Sequence, residues 1–177
     1  MNFLSVFIGL FIAAEWKAYW LTAKDPPSDK FMSTIGSIGS VFNGMRFIWS
    51  WMLDHLPYKK VYGILLASEV CIGMTMPLLV NQKWLYTLWI CGGYLCLGGH
   101  FTLLPNQFKN VFGEQATRLY SIAFSFSGIT GVFEIVIQLY VLDDNNIQAF
   151  FYIYSLLAAV SLLLLIFWYD PAPYRKN

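Results

Sequence analysis

IQAFFYIYSLLAAVSLLLLIFWY, residues 147–169, runs for 23 residues without one Asp, Glu, Lys or Arg. At about 1.5 Å of rise per helical residue it is long enough to cross a bilayer core about 30 Å thick, which needs about 20 residues. Working outward from it, five more apolar stretches of similar length fill almost all of the chain, at about 3–21, 31–53, 61–80, 84–105 and 118–142. The sequence therefore predicts an all-α membrane protein, a six-transmembrane-helix bundle. A single membrane domain is expected over residues 1–170, followed by a short exposed tail at 171–177. The chain enters its first apolar run at Phe3 with no Arg-rich leader and no small-residue cleavage site. That run is expected to be a retained helix.

Composition agrees. Of 177 residues 58% are hydrophobic and only 12% charged, with a net charge of +1. A soluble domain carries about 25% charged residues. No basic patch suited to nucleic acid is present, so membrane lipid is the expected environment. Aromatics cluster near span ends, at Trp16, Tyr19, Trp20, Tyr58, Tyr62, Trp84, Tyr86, Trp168 and Tyr169, and are expected to form interfacial belts. Lys59, Lys60, Lys109, Arg118, Arg175 and Lys176 fall on one side, against Lys24, Lys30 and Lys83 beside acids on the other. Both termini are expected on the positive side.

The second span is the most informative. Gly36, Ser40 and Gly44 recur every four residues, a small-residue ridge of the kind that lets helices approach closely. Ala123, Ser127 and Gly131 repeat the device in the fifth span, with Glu134 on the same side. Both ridges are expected to meet a partner. Ionisable residues at membrane depth are costly and face protein or water; the candidates are Glu15, Lys17, Arg46, Glu69, His100 and Glu134. Counted from the non-positive side, Arg46, His100 and Ser127 fall level within one turn, which suggests one polar layer. An arginine can grip a carboxylate with two parallel hydrogen bonds, and a nearby histidine can carry a proton. The bland reading competes: Arg46 snorkelling to the interface and His100 packed and hydrogen-bonded. Glu69 and Glu134 are expected to serve as intramembrane charges or partner contacts, Glu69 towards a chain outside the bundle. Lys17, among Trp16, Tyr19 and Trp20, is expected to anchor the interface.

The stretch GSIGSVFNGMRFIWSWMLDHLPYKK, residues 36–60, resembles the eighth helix and following loop of major facilitator superfamily transporters. The superfamily's loop motif G-x-x-x-D-R/K-x-G-x-R/K-R/K reads here Ser50-x-x-x-Asp54-His55-x-Pro57-x-Lys59-Lys60. Asp54, Lys59 and Lys60 match it as a structural or gating loop; Ser50, His55 and Pro57 depart from it. Glu15–Tyr19, Gly98–Pro105 and Tyr120–Gly128 resemble the oxalate/formate antiporter and monocarboxylate transporter branch. The resemblance covers one six-helix half of such a transporter. It implies that Arg46 matches the substrate-binding arginine, and that Ser127 stands where the antiporters have a lysine. One of two cationic clamps is then missing.

No phosphate loop, HExxH or metal-ligand cluster occurs, and no pair of intramembrane histidines for haem. No cofactor, metal or enzyme activity is expected. Two functions stay open. One is a structural or accessory subunit of a larger membrane assembly, derived from a transporter half; a mitochondrial inner-membrane complex is a guess from the size. The other is a half-size transporter that pairs with a second six-helix chain to move small monocarboxylates, with or without a proton.

Overall fold

The computed structural model describes residues 2–141 and 146–169. The expected tail at 171–177 and the acids Asp143 and Asp144 lie outside them. The described residues are helical with short connections: α1 (Asn2–Leu21), α2 (Asp29–Gly44), α3 (Phe47–His55), α4 (Tyr58–Thr75), α5 (Lys83–Phe112), α6 (Ala116–Tyr140) and α7 (Ile147–Phe167). By length and hydropathy, Phe3–Leu21, Tyr58–Leu79, Lys83–Ile137 and Ile147–Phe167 are apolar enough to cross a membrane. The third of these holds both α5 and α6. The chain is an all-α membrane bundle.

Local chemistry sets the boundaries. The Ser28 hydroxyl accepts from Phe31 N at the start of α2, satisfying one of the amides left open at a helix N-terminus. Pro57 keeps Leu56 extended (φ −129°, ψ 146°) and lets α4 begin afresh. At Pro77 the last turn of α4 tightens into a 3₁₀ segment, Met76–Leu79. Gly113 takes φ +54° where α5 ends, a conformation that suits glycine. The expected loop at 106–117 is mostly helix instead. α5 runs through Pro105 to Phe112, so at 30 residues it is about 45 Å long and overreaches the bilayer core.

One predicted span is not continuous. Residues 31–53 divide into α2 and α3, with Met45 (φ −72°, ψ 35°) leaving the helix and Arg46 starting the next. The Met45 amide turns back onto both Phe42 O and Val41 O. Across the break, Gly98 of α5 allows a very close approach. A Cβ there would sit 2.4 Å from Asn43 O. Further up the same seam Gly39 faces the Tyr94 ring, with room for no side chain. α3 is fixed to α5 by the Trp49 indole, which donates to Leu95 O at 2.9 Å.

α7 packs on α4 and α1, α2 on α5, and α1 on α5, while α6 lies against α1 and α5. Several aromatics expected in an interfacial belt are core residues. Trp16, Tyr19, Trp20, Tyr62 and Tyr86 are buried between helices. Tyr86 OH donates to Trp16 O at 3.0 Å, and Trp20 and Tyr86 meet at 4.8 Å. Trp84 and Trp168 do face outward, 73% and 82% exposed. Tyr58 and Tyr169 pack on each other at the positive end.

Candidate functional site

The break between α2 and α3 positions Arg46. Its Nε donates to Asn43 O at 3.3 Å, and its guanidinium lies 5.4 Å from the Phe101 ring, a cation–π distance. Phe101 in turn packs on Phe124, and Phe124 on Tyr120, both of α6. Tyr120 is within electrostatic reach of Arg46. The side chain is exposed, and its terminal Nη groups meet no acceptor among the described residues. The guanidinium thus rests against an aromatic wall with its Nη groups open; a guanidinium fork can hold an acceptor such as a carboxylate with two parallel hydrogen bonds. Asn43 Oδ1, beside it, is buried with no partner among the described residues.

His100 does not join Arg46 in a layer. It is level with it along α5, since Phe101 is the next residue, but consecutive helical residues point about 100° apart. Arg46 meets Phe101 on the outside, whereas His100 turns into the bundle. There its Nε2 is hydrogen-bonded to Glu69 Oε1 at 2.8 Å, and both side chains are 1% exposed. Tyr62 presents its ring edge-on to His100 at 5.7 Å, and its hydroxyl reaches Ser5 Oγ at 3.1 Å. Ser5, Tyr62, Glu69 and His100 thus tie α1, α4 and α5 together from inside. Glu69 does not face a chain outside the bundle as expected; a buried carboxylate costs too much without its partner, and His100 supplies one.

The small-residue ridges are also turned differently. Gly36 is covered by Trp16, 3.3 Å from where a Cβ would stand. Ser40 is exposed and Gly44 has nothing within 4 Å. In α6 the inward seam is Ala123, Ser127, Thr130, Glu134 and Ile137, at spacings of three and four. Ser127 and Glu134 therefore look into the bundle, and Gly131 has open space at its Cβ. Ser127 lies two turns along α6 from Tyr120, about 10 Å.

The outward faces of α2 and α6 are mainly apolar, but each carries a stripe of small, mostly hydroxylated residues. Ser33, Ser37, Ser40 and Gly44 form one exposed stripe, and Thr117, Ser121, Ser125 and Gly128 another. Ser37, Ser40, Ser121 and Ser125 each donate to the carbonyl four residues back. Each hydroxyl is satisfied within its own helix and keeps a lone pair to offer.

Lys17 pairs with Asp29 at 2.6 Å, with 42% and 79% of the two side chains exposed. It joins α1 to the start of α2, and an exposed pair of this kind is worth little. In the loop motif, Lys59 Nζ donates to Ile166 O at 2.8 Å and to Tyr169 O at 3.2 Å. It closes the C-terminus of α7, where a cation is favoured. Asp54 and Lys60 are exposed and have no polar partner among the described residues. Asn43, Phe101, Tyr62 and Ser5 had no sequence signal beyond a polar or aromatic letter in an apolar run. The Gly44–Met45 break is likewise not marked by a proline. Among the described residues no cluster of His, Cys, Asp and Glu is suited to a metal ion.

A family model described as Major Facilitator Superfamily matches residues 1–177. No curated protein and no solved structure matches the chain.

Proposed function

The chain belongs to the Major Facilitator Superfamily, and from that premise we propose that it forms one wall of a solute pathway, pairs with a second six-helix unit, and binds a small monocarboxylate at Arg46. Transporters of this kind bind substrate between repeated halves and move one against the other. The observation that carries the proposal is the open fork of Arg46 at the α2–α3 break. Discontinuous helices are where transporters place their substrate groups. The stripes of small residues on α2 and α6 support a face that meets a partner helix, because small and hydroxylated side chains let helices approach closely. With Ser127 in place of a second cation, a dicarboxylate lacks a second grip. The integral-membrane location rests on the apolar helices; nothing among the described residues points to one organelle.

Reconstitution into vesicles, with whatever membrane partner co-purifies, tests this by uptake of labelled small monocarboxylates. Loss of charge-assisted hydrogen bonds worth about 1.5–3 kcal/mol predicts that Arg46→Ala weakens substrate binding about 10- to 150-fold. Arg46→Lys should also impair it, since an ammonium lacks the fork. Gly44→Leu should block pairing while leaving insertion intact. Absence of flux in every preparation would leave the accessory-subunit reading, which the departures at Ser50, Pro57 and Ser127 favour. Flux that survives Arg46→Ala would show that the site lies elsewhere.

A further inference from the structure

We propose that the carboxylate taken at Arg46 belongs to an aromatic acid, whose ring lies on a ladder of aromatic side chains between α5 and α6. This rests on the reading of Arg46 as the carboxylate site. The ladder starts at that residue, whose guanidinium lies 5.4 Å from the Phe101 ring. From there the rings follow one another without a gap. Phe101 meets Phe124 at 5.9 Å, and Phe124 meets Tyr120 at 5.7 Å. Tyr120 meets Phe108 at 6.1 Å, and Phe108 meets Phe112 at 5.4 Å. Each separation is one at which aromatic pairs attract. Phe101, Phe108 and Phe112 stand on α5, and Tyr120 and Phe124 on α6. Spacings of seven and four residues keep each set on one helix face.

Rings that served only to fix α5 to α6 would be closed in, as Trp20 and Tyr86 are between α1 and α5. None of these five is buried; Phe112 is 40% exposed and Phe124 43%. The ladder therefore offers ring faces and edges to a molecule outside the bundle, beside an open guanidinium. An anion with a flat ring satisfies both features at once. Its carboxylate takes the Arg46 fork, and its ring lies edge-on or offset against Phe101 and Phe124. Acids without a ring reach the fork alone. Phe101 and Phe112 are eleven residues apart, about 16 Å along the helix. The ladder thus leads from Arg46 to the end of α5 that overreaches the bilayer core, where an acid arriving from water first meets it.

Equilibrium binding of labelled benzoate, cyclohexanecarboxylate and acetate to the intact protein in lipid nanodiscs, with any membrane partner that co-purifies, tests this. Benzoate and cyclohexanecarboxylate carry the same carboxylate on rings of equal size, and the saturated ring is the more apolar. Burial alone therefore favours cyclohexanecarboxylate, whereas ring–ring contact favours benzoate, by about 2- to 10-fold. Benzoate is expected to bind tightest and acetate weakest. Phe124→Leu keeps an apolar side chain and should abolish the preference for benzoate over cyclohexanecarboxylate. Phe124→Tyr keeps the ring and should retain it, which separates loss of the ring from a folding defect. Arg46→Ala should weaken both ring acids alike. Cyclohexanecarboxylate binding as tightly as benzoate, or a preference that Phe124→Leu leaves unmoved, would overturn the ladder while the carboxylate site at Arg46 stands. Failure of all three acids to bind would overturn both.

Discussion

Gly98→Ala tests the seam that positions Arg46. The added Cβ would lie 2.4 Å from Asn43 O and 2.9 Å from Asn43 Oδ1, against an ordinary contact of 3.4 Å or more. The shortfall is about 1 Å, and the obstructing atom is a backbone carbonyl in the last turn of α2. It cannot rotate away as a side-chain tip can. The end of α2 must shift, and with it the break that carries Arg46. Overpacking of this kind costs about 1–3 kcal/mol. At about 2–4 °C per kcal/mol for a chain of this size, the melting temperature in detergent should fall by about 2–12 °C. Intrinsic tryptophan fluorescence reads it, since Trp49 sits on this seam. Gly131→Ala is the control. Its Cβ would meet nothing within 4 Å, and helix propensity alone favours alanine by about 0.5–1 kcal/mol. A melting temperature that rises in both variants would refute the close approach of α2 to α5.

Two further expectations concern groups that the bundle holds inside and at its positive end. Replacing either His100 or Glu69 with leucine strands the other in the core and should cost about 3–5 kcal/mol, whereas the double replacement should recover most of it; strictly additive losses in thermal unfolding would exclude the pair. Lys59→Met should destabilise the last turn of α7 by about 0.3–1 kcal/mol, seen as faster amide exchange near Ile166 to Tyr169, while Lys60→Met should leave exchange there unchanged.

The apolar runs are a local property, and they fixed the membrane class and the placing of most helices without any tertiary information. Residues 147–169 read as one helix in sequence, and α7 spans Ile147–Phe167. The motif around Asp54 and Lys59 pointed to the superfamily in the same way. Which side of each helix faces its neighbours was a different matter. In water, an amphipathic period separates the buried face from the exposed one. In a bilayer both faces are apolar, because lipid tails and a protein core offer similar surroundings. Trp16 and Trp20 could therefore be read as interfacial anchors, although they lie between helices. Glu69 could be read as facing outward, although His100, 31 residues away on another helix, takes it up inside. The division of the second span at Met45 likewise had no proline to announce it. It falls where Asn43 approaches Gly98, a contact that exists only once α2 lies against α5.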